Sequence, residues 1–144
     1  MSAVKLVTIF AENRPGQLAH VTQILAEAGV NIRWITIATS ESFGVIKLLA
    51  NPCEVAYQHL KAKGLTVSLN EVLAIEVDDQ PGGLNAVMAC LAANQVNVEN
   101  ASGFVIRPRQ QAVLLIETRD LEQARQALVK HNRRLLTQEE VLNL

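Results

Sequence analysis

Several things are scarce in this chain, and each absence excludes a class of protein. Of its 144 residues two are cysteine. Cys53 and Cys90 stand too far apart for a zinc-type pair and are too few for a disulfide framework, so both are expected to be plain buried or half-buried thiols. An excess of either charge is missing: 13 Lys and Arg against 14 Asp and Glu leave a net charge of −1, without the basic footprint of a nucleic-acid binder. No apolar run approaches the roughly 18 residues that cross a bilayer. The opening segment to Phe10 is short and carries Lys5 within it, so it does not resemble a leader, and a cytoplasmic protein is expected. Nucleophile-elbow, P-loop, HExxH, CxxC and GxGxxG motifs are all lacking, which argues against an enzyme. His20, His59 and His131 lie on predicted helices away from other metal-type ligands, so solvated or capping roles are expected, with no metal and no cofactor. An apolar fraction of 49% with 19% charged residues still describes a folded globular chain.

What the chain does have is an internal echo. Residues 12–18 read ENRPGQL and residues 78–84 read DDQPGGL. Laying 12–32 on 78–98 pairs Pro15 with Pro81, Gly16 with Gly82, Leu18 with Leu84, Val21 with Val87, Leu25 with Leu91, Ala26 with Ala92, Val30 with Val96 and Asn31 with Asn97. That is eight identities in 21 positions, where ordinary composition gives about one or two. Further on, GVIKLLANPCEVAYQHL lies on AVLLIETRDLEQARQAL at an offset of 68, two more than before, so the second copy has gained two residues in the intervening hairpin. The chain is a tandem duplication, 1–70 and 71–144, with a boundary near Asn70 and no linker.

One copy can be read for both. VKLVTIF alternates as a strand, and Pro15 stands where a first helical residue is expected, its fixed φ suited to the place. Leu18, Val21, Ile24, Leu25 and Ala28 form one apolar stripe that Gly29 ends. NIRWITIA and GVIKLLA read as strands around the turn ESFG, Pro52 opens a second helix that Gly64 ends, and TVSL begins a fourth strand. The second copy repeats this with EVLAIEV, a helix from Gly82, the strand VNVENASGFVI, the strand QAVLLIET, a helix from Asp120 to about Lys130, and RRLL. Each copy is βαββαβ, so the class is α+β: two ferredoxin-like repeats, each an antiparallel sheet with its helices on one face. Some seventy residues bury little surface, so each sheet is expected to seek a partner, with the two copies paired about a pseudo-twofold axis. In the tail TQEEVLNL, Thr137 and Glu140 have capping-box spacing and favour a helical turn.

The stretch ENRPGQLAHVTQILAEAGVNI, an NRPG turn between a strand and an amphipathic helix with GVNI opening the next strand, resembles the ACT domain. This is a regulatory module that binds amino acids, and the likeness is to the serine-sensing form found in phosphoglycerate dehydrogenases. The resemblance covers both repeats. It implies an amino-acid ligand held between two modules, by the turn of one and the asparagine of the VNI segment of the other. Carried over, one site would use Asn13, Arg14, Gly16, Gln17 and Leu18 with Asn97, and the second Asp79, Gly82, Gly83 and Leu84 with Asn31. A zwitterion suits such places physically. Helix-start amides donate to its carboxylate, glycine lets it reach the backbone, and asparagine serves either end. Where the resembled sensor has a histidine, this chain has Ala11 and Val77, which implies a more apolar side-chain pocket. Asp79 in place of asparagine favours an ammonium group, repels a carboxylate and can cap the helix amides itself. Two inequivalent sites are expected, with the Asn13 turn favoured.

The function expected is that of a stand-alone amino-acid sensor, a homodimer acting on a metabolic enzyme in trans or through its oligomer state. One alternative is an assembly subunit of an amino-acid biosynthetic enzyme with no ligand of its own. Another is an acylphosphatase-like hydrolase using Arg14 and Asn13, although the glycine-rich cradle such a hydrolase needs is missing. Trp34 is expected at an interface or in a core, and Arg125, Lys130, Arg133 and Arg134 near the last helix read as dipole and solubility residues.

Overall fold

A computed structural model describes residues Ala3–Leu144. Met1 and Ser2, the start of the segment considered above for a leader, lie outside the described residues. The chain forms two compact units, Lys5–Asn70 and Glu71–Leu144, the latter also taking in Ala3 and Val4.

The first unit is built from β1 (Ala3–Glu12), α1 (Gln17–Glu27), β2 (Asn31–Ser40), β3 (Phe43–Asn51), α2 (Cys53–Ala62) and the opening residues of β4 (Thr66–Asp78). Its strand order is β2-β3-β1-β4. β1 pairs antiparallel with β3, Val7 opposite Leu48 and Ile9 opposite Ile46, and β3 pairs antiparallel with β2. The second unit repeats the plan with the rest of β4, then α3 (Gly83–Ala93), β5 (Asn100–Arg107), β6 (Gln111–Glu117), α4 (Leu121–Lys130) and β7 (Leu135–Leu136). Its order is β7-β4-β6-β5. Each unit is therefore a split βαβ, and the α+β reading with two βαββαβ repeats holds.

Alternation builds both cores. Val7, Ile9 and Ala11 of β1 and Ile46 and Leu48 of β3 face Val21, Ile24 and Leu25 of α1 and Ala56 and Leu60 of α2. In the second unit Leu73, Ile75 and Val77 with Leu114 and Ile116 meet Val87 and Leu91 of α3 and Ala124 and Leu128 of α4. These are the same positions filled twice, because period 2 in the strands and period 3.6 in the helices leave one face of each for burial. Each fully buried leucine contributes about 2 kcal/mol.

Four expectations need correction or refinement. Pro15 is not the first helical residue. Gly16 is left-handed (φ 86, ψ −13) and is the cap, so Pro15 and Gly16 are the corner of a type II turn closed by Gln17 N on Arg14 O at 3.3 Å. Pro81 and Gly82 (φ 87) do the same, closed by Gly83 N on Gln80 O at 3.0 Å. TVSL and EVLAIEV are one continuous strand, β4, with Asn70 and Glu71 extended within it. The strand read from Val96 begins at Asn100, because β6 ends at Glu117, whose carbonyl accepts from Glu99 N at 2.8 Å, and the residues before Glu99 have no partner strand. RRLL supplies only the two-residue β7.

The tail forms α5 (Gln138–Leu142) with the capping box complete: Glu140 N donates to Thr137 Oγ1 at 3.1 Å, and Thr137 N donates to Glu140 Oε2 at 2.8 Å. Arg134 joins it to the sheet, reaching Glu76 at 2.8 Å and Glu140 at 3.2 Å. Thr137 N and Arg134 hold the Glu140 carboxyl below its usual range, and the two carboxylates raise the Arg134 guanidinium. Asp120 caps α4 by accepting from Gln123 N at 3.0 Å.

Candidate functional site

Each Pro-Gly turn sits between a central strand and a helix start. Within each turn the first helical amide is spent on closing the turn, and His20 N and Ala86 N return to Gly16 O and Gly82 O at 2.9 and 3.0 Å. The amides of Leu18 and Ala19, and those of Leu84 and Asn85, are left with no backbone partner. The amides of Gly16 and Gly82 likewise have none, so of the donors expected from the sequence only those of Gln17 and Gly83 are spent, and Leu18, Ala19, Leu84 and Asn85 extend the set. No side chain caps either helix, so Asp79 does not take the capping role its type allows.

Asn13 and Asp79 hold hairpins instead. Asn13 Nδ2 donates to Glu41 O at 2.9 Å, and Asn13 N donates to Ser42 O at 2.8 Å, tying the turn to the β2–β3 tip. In the second unit Asp79 Oδ2 accepts from Arg109 N at 2.6 Å, and Gln80 Nε2 donates to Arg109 O at 2.9 Å. Glu41 (φ 53) and Arg109 (φ 66) are left-handed tip residues. The exchange of asparagine for aspartate is matched by an exchange of backbone group: an amide donates to a carbonyl in one copy, and a carboxylate accepts from an N–H in the other. Arg14, in the place of Gln80, lies 3.2 Å from Glu12, both well exposed. Such a pair contributes little.

Beside each turn is a cleft bounded by the helix start and the outer strand. The first holds Ala11, Asn13, Arg14, Gln17 and Leu18 together and measures about 70 Å³. The second holds Val77, Asp79, Leu84 and Met88 together and measures about 520 Å³. Strand register explains the difference. Ile37 lies opposite Ile46 in β3, and the matching residue opposite Leu114 in β6 is Gly103. Ile35 lies opposite Leu48, where Ala101 lies opposite Ile116. Gln17 is likewise matched by Gly83, at which a Cβ would run into the Asp78 carbonyl oxygen. Two side chains that line the first cleft, Gln17 and Ile37, are gone in the second, and Ile35 further along β2 is reduced to Ala101.

The remaining expected residues lie elsewhere in their own units. Asn31 pairs with Asn51 at the end of β2 away from the tip that Asn13 grips. Asn97 precedes β5 and lines a separate polar pocket of about 330 Å³ with Glu99, Arg119 and Asp120. Neither joins the turn of its own copy. Cys53, half-buried with its thiol pushed up chiefly by burial, donates weakly to Lys5 O at 4.0 Å and belongs to no cleft above. Glu41, Gln80, Arg109, Ile37 and Gly103 were not singled out from the sequence. Carrying the offset of 66 past residue 32 into β2 would have set Ile37 against Gly103. Among the described residues no group of three or more His, Cys, Asp or Glu could hold a metal ion, and no helix is long and apolar enough to cross a membrane.

Comparison with known proteins agrees with this architecture. Protein BT0572 from Bacteroides thetaiotaomicron superposes with a TM-score of 0.92 at 26% identity, over 99% of this chain and 98% of that one. The regulatory subunits of aspartate kinase from Thermus thermophilus and Thermus flavus share the fold. Their TM-scores are 0.61 and 0.59 at 19% and 16% identity, over 89% and 90% of this chain and 91% and 92% of theirs. A comparison with curated proteins finds no match. The family model of the ACT domain pair matches residues 1–144, and with a βαββαβ unit and a Pro-Gly turn in each half, the chain belongs to that family.

Proposed function

We propose that the protein is a non-catalytic regulatory protein that binds a small amino acid at its Pro-Gly turns and passes its liganded state to a partner. The observation that carries this reading is the conjunction, in both copies, of unpartnered helix-start amides with a cleft beside them, in a chain matched throughout by an ACT domain pair. Leu18 and Ala19, or Leu84 and Asn85, offer two N–H groups to a carboxylate at the favourable end of a helix dipole. Asn13 and Asp79 offer oxygen to an ammonium group, and Ala11 and Val77 line the clefts with methyl groups.

Each unit is a binding module in this proposal, 1–70 and 71–144, and the two turns are inequivalent. The protein acts in the cytoplasm, as a homo-oligomer or on a metabolic enzyme in trans. The similarity in fold to regulatory subunits of aspartate kinase is consistent with control of an enzyme from outside its own chain. A hydrolase reading finds less support, since the two side chains it would use are engaged, Arg14 with Glu12 and Asn13 with the Glu41 carbonyl.

A thermal-shift screen against the twenty amino acids tests the proposal. A ligand at 100 times its dissociation constant adds about 2.7 kcal/mol to stability and raises Tm accordingly. No shift with any of them would defeat it and leave the assembly subunit as the better reading. Calorimetry on Asn13→Ala and Asp79→Ala then separates the two turns, and equal losses at two identical sites would refute their inequivalence.

A further inference from the structure

We propose that the cleft of the second unit receives the side chain of an aliphatic amino acid, that Gly103 sets the size it accepts, and that Ile37 closes the matching place in the first unit. This deepens the amino-acid reading above and rests on it. At about 520 Å³ the second cleft is within the range of small-molecule sites, whereas about 70 Å³ in the first leaves no room for a side chain.

The lining dictates the ligand class. Val77, Leu84, Met88 and Leu114 make an apolar wall, and although Asp78 and Ser102 also border the cleft, no Lys or Arg does. The polar side chains at the turn are already committed, Asp79 to Arg109 N and Gln80 to Arg109 O. Asp79 still has a second oxygen for an ammonium group, and the amides of Leu84 and Asn85 are open to a carboxylate. Along the wall beyond them, a hydroxyl or charged side chain would leave water with little to replace it, whereas methylene groups gain by the exchange. Gly103 is what makes the space. Its backbone is not left-handed, so its lack of a side chain is not required by φ, and a Cβ there would stand 3.3 Å from Val113 O and 3.7 Å from Leu114 Cδ1. An isoleucine at this place, as in the first unit, would project into the cleft.

Calorimetry with leucine, isoleucine, valine, methionine, alanine, serine, aspartate and lysine tests this on the wild type and on Gly103→Ile, Ala101→Ile and Ile37→Ala. One aliphatic amino acid per chain is expected to bind with its side chain in the second cleft, about ten- to a hundred-fold tighter than alanine. Gly103→Ile and Ala101→Ile should each weaken it at least about ten-fold, on the scale of a lost pocket contact, while Ile37→Ala, which reopens the first cleft, should raise the number of aliphatic ligands bound per chain from one towards two; a stoichiometry that stays at one would overturn the role given to Ile37. Circular dichroism and Tm establish that the variants fold, and Ala101→Ile supplies the test should Gly103→Ile fail to. If amino acids bind but the polar ones bind as well, or both filled variants keep full affinity, the cleft inference falls and the amino-acid reading stands. If none binds to any variant, both fall. A change in sedimentation mass on filling the cleft, with no change in affinity, would assign it to a second copy of the chain and overturn the proposal.

Discussion

In the first unit Ile35 and Ile37 stand on the helix-facing side of β2, and the space beside the Pro-Gly turn is almost closed. In the second, Ala101 and Gly103 occupy the same register positions on β5 and the space stands open. Behind them the two cores are nearly interchangeable: Leu25 and Leu91, or Ile9 and Ile75, lie on equivalent faces and are fully buried. Duplication kept the positions whose burial holds the fold and released those on the outer strand, where a change of size meets solvent instead of close-packed neighbours. The copies therefore differ most where a ligand would be chosen.

The largest effect checks the common part. Leu25→Ala and Leu91→Ala should each cost about 3 kcal/mol in chemical denaturation, since each removes a side chain with almost no exposure. Values differing by more than a factor of about two would show that the cores are not equivalent. Next comes the turn. Gly83→Ala should cost about 2 kcal/mol, because the new Cβ meets the Asp78 carbonyl, while Gln17→Ala at the matching position costs less than about 0.5 kcal/mol. The hairpin ties should be smaller and opposite in logic. Asn13→Asp sets a carboxylate against the Glu41 carbonyl and is expected to cost about 1 kcal/mol, whereas Asp79→Asn still accepts from Arg109 N and costs about half as much.

The smallest effect concerns α5, which follows the fourth strand of the second unit, whereas the fourth strand of the first runs straight on as β4. Glu140 is held below its usual range by Thr137 N first and by Arg134, so its contribution is present above the ordinary glutamate range and is lost as pH falls through the lowered value. Glu76 shares Arg134 with it. The protection of the Gln138–Leu142 amides, taken relative to the intrinsic exchange rate at each pH, should fall on acidification, and Glu140→Gln should flatten that dependence. An unchanged pH profile in the variant would remove the latch.

Much of this could be read from the letters. The stripe of Val21, Ile24 and Leu25 and its copy at Val87 and Leu91 gave the helices, alternation gave the central strands, and the Thr137–Glu140 spacing gave α5, because local period and local capping carry those features. Pro15 reads as the first helical residue yet stands two positions before it, since proline suits both that place and the corner of a type II turn, and only the positive φ of Gly16 separates the two. The site was less legible. Asparagine and aspartate at 13 and 79 look like ligand groups, yet both hold hairpin tips some thirty residues away, at separations of 28 and 30.

By itself the sequence determined that there would be two βαββαβ units with matched cores, because burial and periodicity are properties of single segments. Only the tertiary structure decided what each copy leaves open. A cleft is the space between a helix start and a strand across the sheet, and its size depends on which residues the register sets face to face. Ile37 opposite Ile46 nearly closes it, and Gly103 opposite Leu114 opens it.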